Sequence, residues 1–141
     1  EKYGISSTVW SVTSYTELAR DAQAADRLNR LHPTKKRKTS YLEDLIADVD
    51  GPFIAASDYV RAVSEQINPW IPDGLYTLGT DGLGRSETRE ALRRHFEVDA
   101  ESIVIATLYK LSLLDKIPRK AVDDAIKSLD YDRNKIDPYF A

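Results

Sequence analysis

A chain of 141 residues with 42% hydrophobic and 30% charged residues has the composition of a single globular domain and is long enough to bury about 68–70% of its unfolded surface. The net charge of −3 argues against general nucleic-acid binding, which needs a basic face, and no run of about 18 apolar residues offers a membrane span. The absence of cysteine excludes disulfides, thiolate catalysis and zinc–thiolate sites.

In chain order, "STVWSV" (residues 7–12) alternates and is rich in β-branched and aromatic residues, which predicts a strand. Thr13 or Ser14 then caps a helix to about Leu31, with Leu18, Ala22, Ala25, Leu28 and Leu31 on one face. Pro33 stops it. "TKKRKTS" (34–40) is a basic connector, read as a solvated loop, and "YLEDLIADV" (41–49) as a short helix or turn. "GPFIAAS" (51–57) is an apolar run after a Gly-Pro turn, hence a buried strand. Ser57 is read as the cap of a helix through Asn68, with Val60, Val63 and Ile67 on a shared face, ended by Pro69 and Pro72.

"LYTLG" (75–79) is the third predicted strand. A glycine-rich loop follows, then a helix from Ser86 to about Phe96. "SIVIATLYKLSLL" (102–114) begins like a strand, but its length and the cap offered by Asp99 favour a helix. Pro118 opens a last helix that buries Val122, Ala125, Ile126 and Leu129. The final dozen residues read as a loosely held tail. Strands alternating with helices predict an α/β layered domain with a mainly parallel sheet. Three strands make a thin sheet. A further strand is therefore expected upstream of Glu1, in keeping with a chain that contains no methionine, initiator included. A processed product or a piece of something longer is expected, and no leader pattern is seen.

The segment "GTDGLGRSETRE" (79–90) is the one candidate binding site. A strand, a glycine turn and a helix start are the parts of a phosphate cradle, with Asp81, Gly82, Gly84, Arg85, Ser86 and Arg89 as the candidate residues. The spacing matches neither G-x-G-x-x-G nor the P-loop. The competing reading is structural: Gly82 and Gly84 supply positive φ at a tight turn and Ser86 caps the helix. His32 and His95 have no second ligand at helical spacing, so no metal site is expected. With Arg93 and Arg94, His95 is read as a cationic helix end. The acidic pairs Glu43/Asp44 and Asp123/Asp124 are read as solvated, and no catalytic constellation is visible.

Two stretches carry a resemblance. "VWSVTSYTELARDAQAADRLNRLHP" (9–33) and "SDYVRAVSEQINPWIPDGLYTLGTDGLGRSETREALRRHFEVDAESIV" (57–104) resemble the homodimeric bacterial pyruvate dehydrogenase decarboxylase components, and "IDPYFA" resembles their ending. Those belong to the transketolase-like thiamine diphosphate family. The resemblance covers essentially the whole chain and implies a three-layer transketolase C-terminal-like domain over residues 1–141, without its first strand and helix.

It also implies a structural and dimerisation role in a cytoplasmic bacterial enzyme. Other domains of that enzyme hold thiamine diphosphate and magnesium, decarboxylate pyruvate and acetylate the lipoyl group of an acyltransferase partner. The chain itself is then expected to be non-catalytic and to bind no cofactor. Its implied partners are the remaining domains of the subunit, a second subunit and the acyltransferase, with no nucleic acid and no membrane. The alternatives are a stand-alone α/β anion- or nucleotide-binding regulatory module using the 79–89 loop, or an interaction protein with an apolar dimer surface.

Overall fold

The computed structural model describes residues 3–141. In chain order it contains α1 (Tyr15–Leu31), α2 (Tyr41–Ile46), β1 (Phe53–Ala56), α3 (Arg61–Glu65), β2 (Leu75–Leu78), α4 (Arg89–His95), α5 (Ala100–Leu113) and α6 (Arg119–Ser128). Short 3-10 turns cover Asn68–Trp70 and Pro138–Phe140.

The strands pair in parallel with Phe53 opposite Leu75 and Ala56 opposite Leu78. Alternate residues on a strand face opposite ways, so Phe53 and Leu75 share one face of the sheet. That face packs into a core with Ala19, Leu42, Ile46, Ile67 and Ile71, supplied largely by α1, α2 and the turn after α3. The other face is met by α5, where Tyr76 lies edge-on to Tyr109 with ring centroids 6.2 Å apart. A second core joins α5 to α6 through Leu108, Val122 and Ala125. Helices thus cover both faces of the parallel sheet, the α/β arrangement that alternating elements imply.

Residues 7–12 are not a strand. No described strand lies beside them to complete a ladder; instead Trp10 stacks on Phe53 at 6.3 Å while Val9 is 88% exposed. Alternation without a hydrogen-bonding neighbour leaves an extended segment. The α1 helix starts as expected, with Ser14 accepting from the Glu17 amide at 3.2 Å. Its buried stripe is Ala19, Ala22 and Ala25, whereas Leu28 and Leu31 face outward. Polar ties from α1 explain its fit: Asp21 accepts the Tyr41 amide at 2.7 Å and Asp26 the Trp70 indole at 2.8 Å. The basic connector is exposed but anchored, since Lys38 exchanges two 2.8 Å backbone bonds with Asn29. Ser40 and Glu43 then form a capping box that starts α2.

The helix read from Ser57 through Asn68 is far shorter. Ser57 accepts only from the Tyr59 amide, at 3.1 Å, because the backbone here is drawn to the end of β2. The Ser57 amide donates to Leu78, the Thr80 amide to the Tyr59 carbonyl and the Thr80 hydroxyl to the Asp58 carbonyl, at 3.1, 3.0 and 2.7 Å. Residues 102–114 are helical, as read, with Asp99 accepting from the amide and hydroxyl of Ser102 at 2.9 and 2.6 Å.

Helices α4, α5 and α6 close alike. Glu97, Asp115 and Asp130 take positive φ after each, and the next amide reaches back: Val98 to Arg93, Lys116 to Leu111, Tyr131 to Ile126.

The tail is held rather than loose. Lys135 Nζ donates to the carbonyls of Arg94 and His95 at 2.6 and 2.7 Å, and Asp137 caps the closing 3-10 turn.

Candidate functional site

The glycine loop runs from the carboxyl end of β2, beside the turn that leaves β1, to α4. This is the edge of an open parallel sheet where ligands commonly bind. Three glycines in it have different duties. Gly79 has an ordinary backbone, but a Cβ there would sit 2.7 Å from both the Arg61 amide nitrogen and the Tyr59 carbonyl. It permits the close approach of β2 to the 59–61 turn. Gly82 has φ +103°, and a Cβ there would lie 2.5 Å from the Pro138 carbonyl oxygen. Gly84 has neither positive φ nor any neighbour within 4 Å. The expectation that Gly82 and Gly84 both supply positive φ therefore holds for Gly82 alone.

Ser86 does not cap the helix. The cap is Thr88, whose hydroxyl accepts from the Ala91 amide at 3.2 Å, and α4 begins at Arg89. Both hydroxyls are good caps, and the exposed loop runs two residues longer before the chain turns helical.

Asp81 is committed elsewhere. It accepts from the Arg61 backbone amide at 3.1 Å and is ion-paired with the Arg61 guanidinium. Because Val60 offers α3 no side-chain cap, Asp81 supplies that acceptor from across the site. We expect Asp81→Ala to lower stability by about 1 kcal/mol, the worth of a lost cap. Urea denaturation checks it, and an unchanged midpoint would rule the cap out.

Between the loop and α4 lies a cavity of about 340 Å³. Its apolar wall is Leu92, Phe96 and Val98; its cationic wall is Arg85, Arg89 and Arg93. Among the described residues Asp58 is its only carboxylate, and it stands 3.8 Å from Arg93. Arg85 and Arg89 have no carboxylate partner among the described residues. The structure thus brings Gly82, Gly84, Arg85 and Arg89 to one cavity, while Ser86 and Asp81 do not line it. Thr80, Asp58 and Arg93 join it without having been singled out from sequence as binding residues. An i, i+4 signal existed for Arg93, since Arg85, Arg89 and Arg93 recur every four residues.

A neighbouring cavity of about 850 Å³ shares Asp58, Arg93 and Val98 with it. Its charges are largely satisfied internally: Arg94 pairs with Asp99 at 2.5 Å and Glu101 at 3.1 Å, and lies 5.1 Å from the Tyr131 ring centre.

His95 lies in the last turn of α4 with Arg93 and Arg94, as read, but its ring is held toward the neutral form. Burial chiefly, then the positive charges of Arg85 and Lys135, push its imidazole below the ordinary value of 6.5. Its Nε2 is buried without a hydrogen-bond partner. The native state therefore favours the neutral ring. The stability this gives is present above the unfolded value of about 6.5 and is lost as the pH falls through the lower folded value. Expected, then, is a loss of stability on going from about pH 7.5 to about pH 5.5 that His95→Gln reduces. Carboxylates held low, Glu43 by Arg37 and Asp123 by Lys127 and Arg133, act at lower pH. Identical pH slopes in the two proteins would refute the assignment to His95.

Comparison with known proteins agrees with this architecture. Residues 1–99 match the transketolase-like TK C-terminal domain. The pyruvate dehydrogenase E1 component of Escherichia coli K12 is 44% identical over 140 residues, which is 99% of this chain and 16% of that protein. The protein of the same name from Pseudomonas aeruginosa is 45% identical over 137 residues, 96% of this chain and 16% of its own length. That from Buchnera aphidicola of Acyrthosiphon pisum is 46% identical over 137 residues, covering 96% and 15%. The chain therefore spans about one sixth of these relatives' length. With two parallel strands between helical layers and a family match over most of its length, the chain belongs to the transketolase-like TK C-terminal domain family.

Proposed function

We propose that this chain serves as the C-terminal structural and dimerisation domain of a bacterial pyruvate dehydrogenase, a cytoplasmic homodimer that decarboxylates pyruvate with thiamine diphosphate and magnesium and acetylates the lipoyl group of its acyltransferase. The observation that carries this reading is 44% identity maintained over 99% of the chain, which includes both the cap-and-helix segment at 14–31 and the glycine loop.

The residues present do not fit the magnesium–diphosphate group itself. Magnesium takes oxygen ligands in near-octahedral array. Asp81 is occupied by Arg61, and Asp99 and Glu101 by Arg94. Among the described residues no group of three or more His, Asp or Glu side chains is placed to hold a metal ion. We therefore assign that cofactor to the remainder of the subunit, and the contribution of this domain to positioning. Exposed apolar side chains beside the loop, Leu83 at 77% and Phe140 at 78%, are where we expect the rest of the subunit or its twin to pack.

An antibody raised against this chain tests the reading. Precipitation from lysate of the source cells should bring down pyruvate decarboxylation that depends on added thiamine diphosphate and magnesium. Precipitation of a protein of 15.9 kDa without that activity would overturn it.

A further inference from the structure

We propose that the cavity between the Gly82–Gly84 loop and α4 is a binding site for a small phosphorylated molecule, with Arg85 and Arg89 holding the phosphate and Leu92 and Phe96 receiving an apolar body. This goes beyond the pyruvate dehydrogenase reading, which assigns the cavity no ligand.

Charge is the first support. Three guanidinium groups line the cavity against one carboxylate, and that carboxylate faces Arg93 alone. Several arginines elsewhere are closely paired, Arg37 with Glu43 at 2.5 Å, Arg61 with Asp81, Arg94 with Asp99 at 2.5 Å and Arg133 with Asp123 at 2.9 Å, whereas the cavity gathers three guanidinium groups around a single carboxylate. Leaving Arg85 and Arg89 without partners on the same wall raises the local positive potential, which costs stability unless an anion arrives. Guanidinium groups bind phosphate oxygens through paired, charge-assisted hydrogen bonds.

Shape is the second support. A volume of about 340 Å³ lies within the range of about 300–1,000 Å³ in which organic ligands bind, and exceeds what a bare phosphate would fill. Leu92, Phe96 and Val98 line the cavity together with the arginines, and Phe96 is only 9% exposed. An apolar surface beside a cationic one suits a phosphate monoester with an organic body better than inorganic phosphate. The loop side is also fixed in place: Gly82 is clasped by the tail at Pro138, and Asp81 by Arg61. A preformed wall spares the ligand the cost of ordering it.

The test is an amide NMR titration of the 141-residue chain with inorganic phosphate and with phenyl phosphate, against sodium chloride at equal ionic strength. Expected are shifts of the Gly82, Gly84, Arg85 and Leu92 amides, with phenyl phosphate binding at about 1 mM or tighter and about tenfold more tightly than inorganic phosphate. Arg85→Ala/Arg89→Ala should weaken phenyl phosphate by about tenfold or more. Its thermal midpoint should not fall, since neither arginine has a carboxylate partner among the described residues and removing both relieves local repulsion. No shift at these amides, or equal shifts in the double variant, would overturn the site. Equal affinity for the two phosphates would overturn the apolar subsite. Shifts confined to the basic connector at residues 35–38 would mean unspecific ion binding, and would overturn the proposal as well.

Discussion

Gly82→Ala is expected to destabilise the chain by about 2–4 kcal/mol, while Gly84→Ala, two residues on, should change stability by no more than about 0.5 kcal/mol. At Gly82 two penalties coincide. Its φ of +103° lies outside the region that L-residues adopt readily, a strain of about 1–3 kcal/mol. Its added Cβ would also press on a backbone carbonyl, Pro138, at 2.5 Å, and overpacking of this kind costs about 1–3 kcal/mol. A carbonyl is not the far end of a flexible side chain, so the relief available is displacement of the tail. At Gly84 neither condition holds. Urea denaturation of both variants gives the comparison, and amide exchange at Tyr139 should quicken only in Gly82→Ala. Equal destabilisation by the two would mean that the loop is not seated on the tail as described.

The contrast between these glycines bears on how much the sequence can tell. Both look alike in "DGLG", and what separates them is the positive φ of Gly82 and its contact with Pro138, 56 residues later. The same holds for Asp81, which stood among the candidate residues of the loop and whose work is to cap α3 from 20 residues away. Features governed by neighbours in sequence were legible: the Ser14 cap, the Asp99 cap that decided helix over strand for the apolar run, and the two parallel strands. Features governed by distant backbone were not. Residues 7–12 alternate as a strand does, but no described strand pairs with them. Ser57 is a sound cap whose helix is delayed because the backbone of 57–59 hydrogen-bonds to the end of β2. Of the cavity, Gly82, Arg85 and Arg89 could be read locally, whereas Asp58 and Thr80 arrive through the parallel pairing of β1 with β2.

Lys135→Met should cost about 2 kcal/mol, a value near the strength of one hydrogen bond from a charged donor, and its effect should not add to that of Gly82→Ala. Where α4 closes after His95, the returning amides of Phe96 and Val98 satisfy the carbonyls of Leu92 and Arg93. The carbonyls of Arg94 and His95 are left over, as at any helix end. Lys135 takes both, at 2.6 and 2.7 Å, with Glu97 3.4 Å from the same ammonium. A cation at that end is also favoured by the helix dipole.

Methionine keeps the apolar stem and removes the donor, so the loss is electrostatic; Lys135→Arg should recover part of it. Lys135 anchors the tail on α4 three residues before Pro138 meets Gly82, so either substitution releases the same segment. Once one contact has been lost, the other has less left to hold. The double variant is therefore expected to be more stable than the sum of the single losses predicts, with a coupling of about 1 kcal/mol. Thermal or urea unfolding of the four proteins measures it. Strict additivity would show that Lys135 and Gly82 secure separate parts of the structure, and that the closing segment is not a single latch across the candidate site.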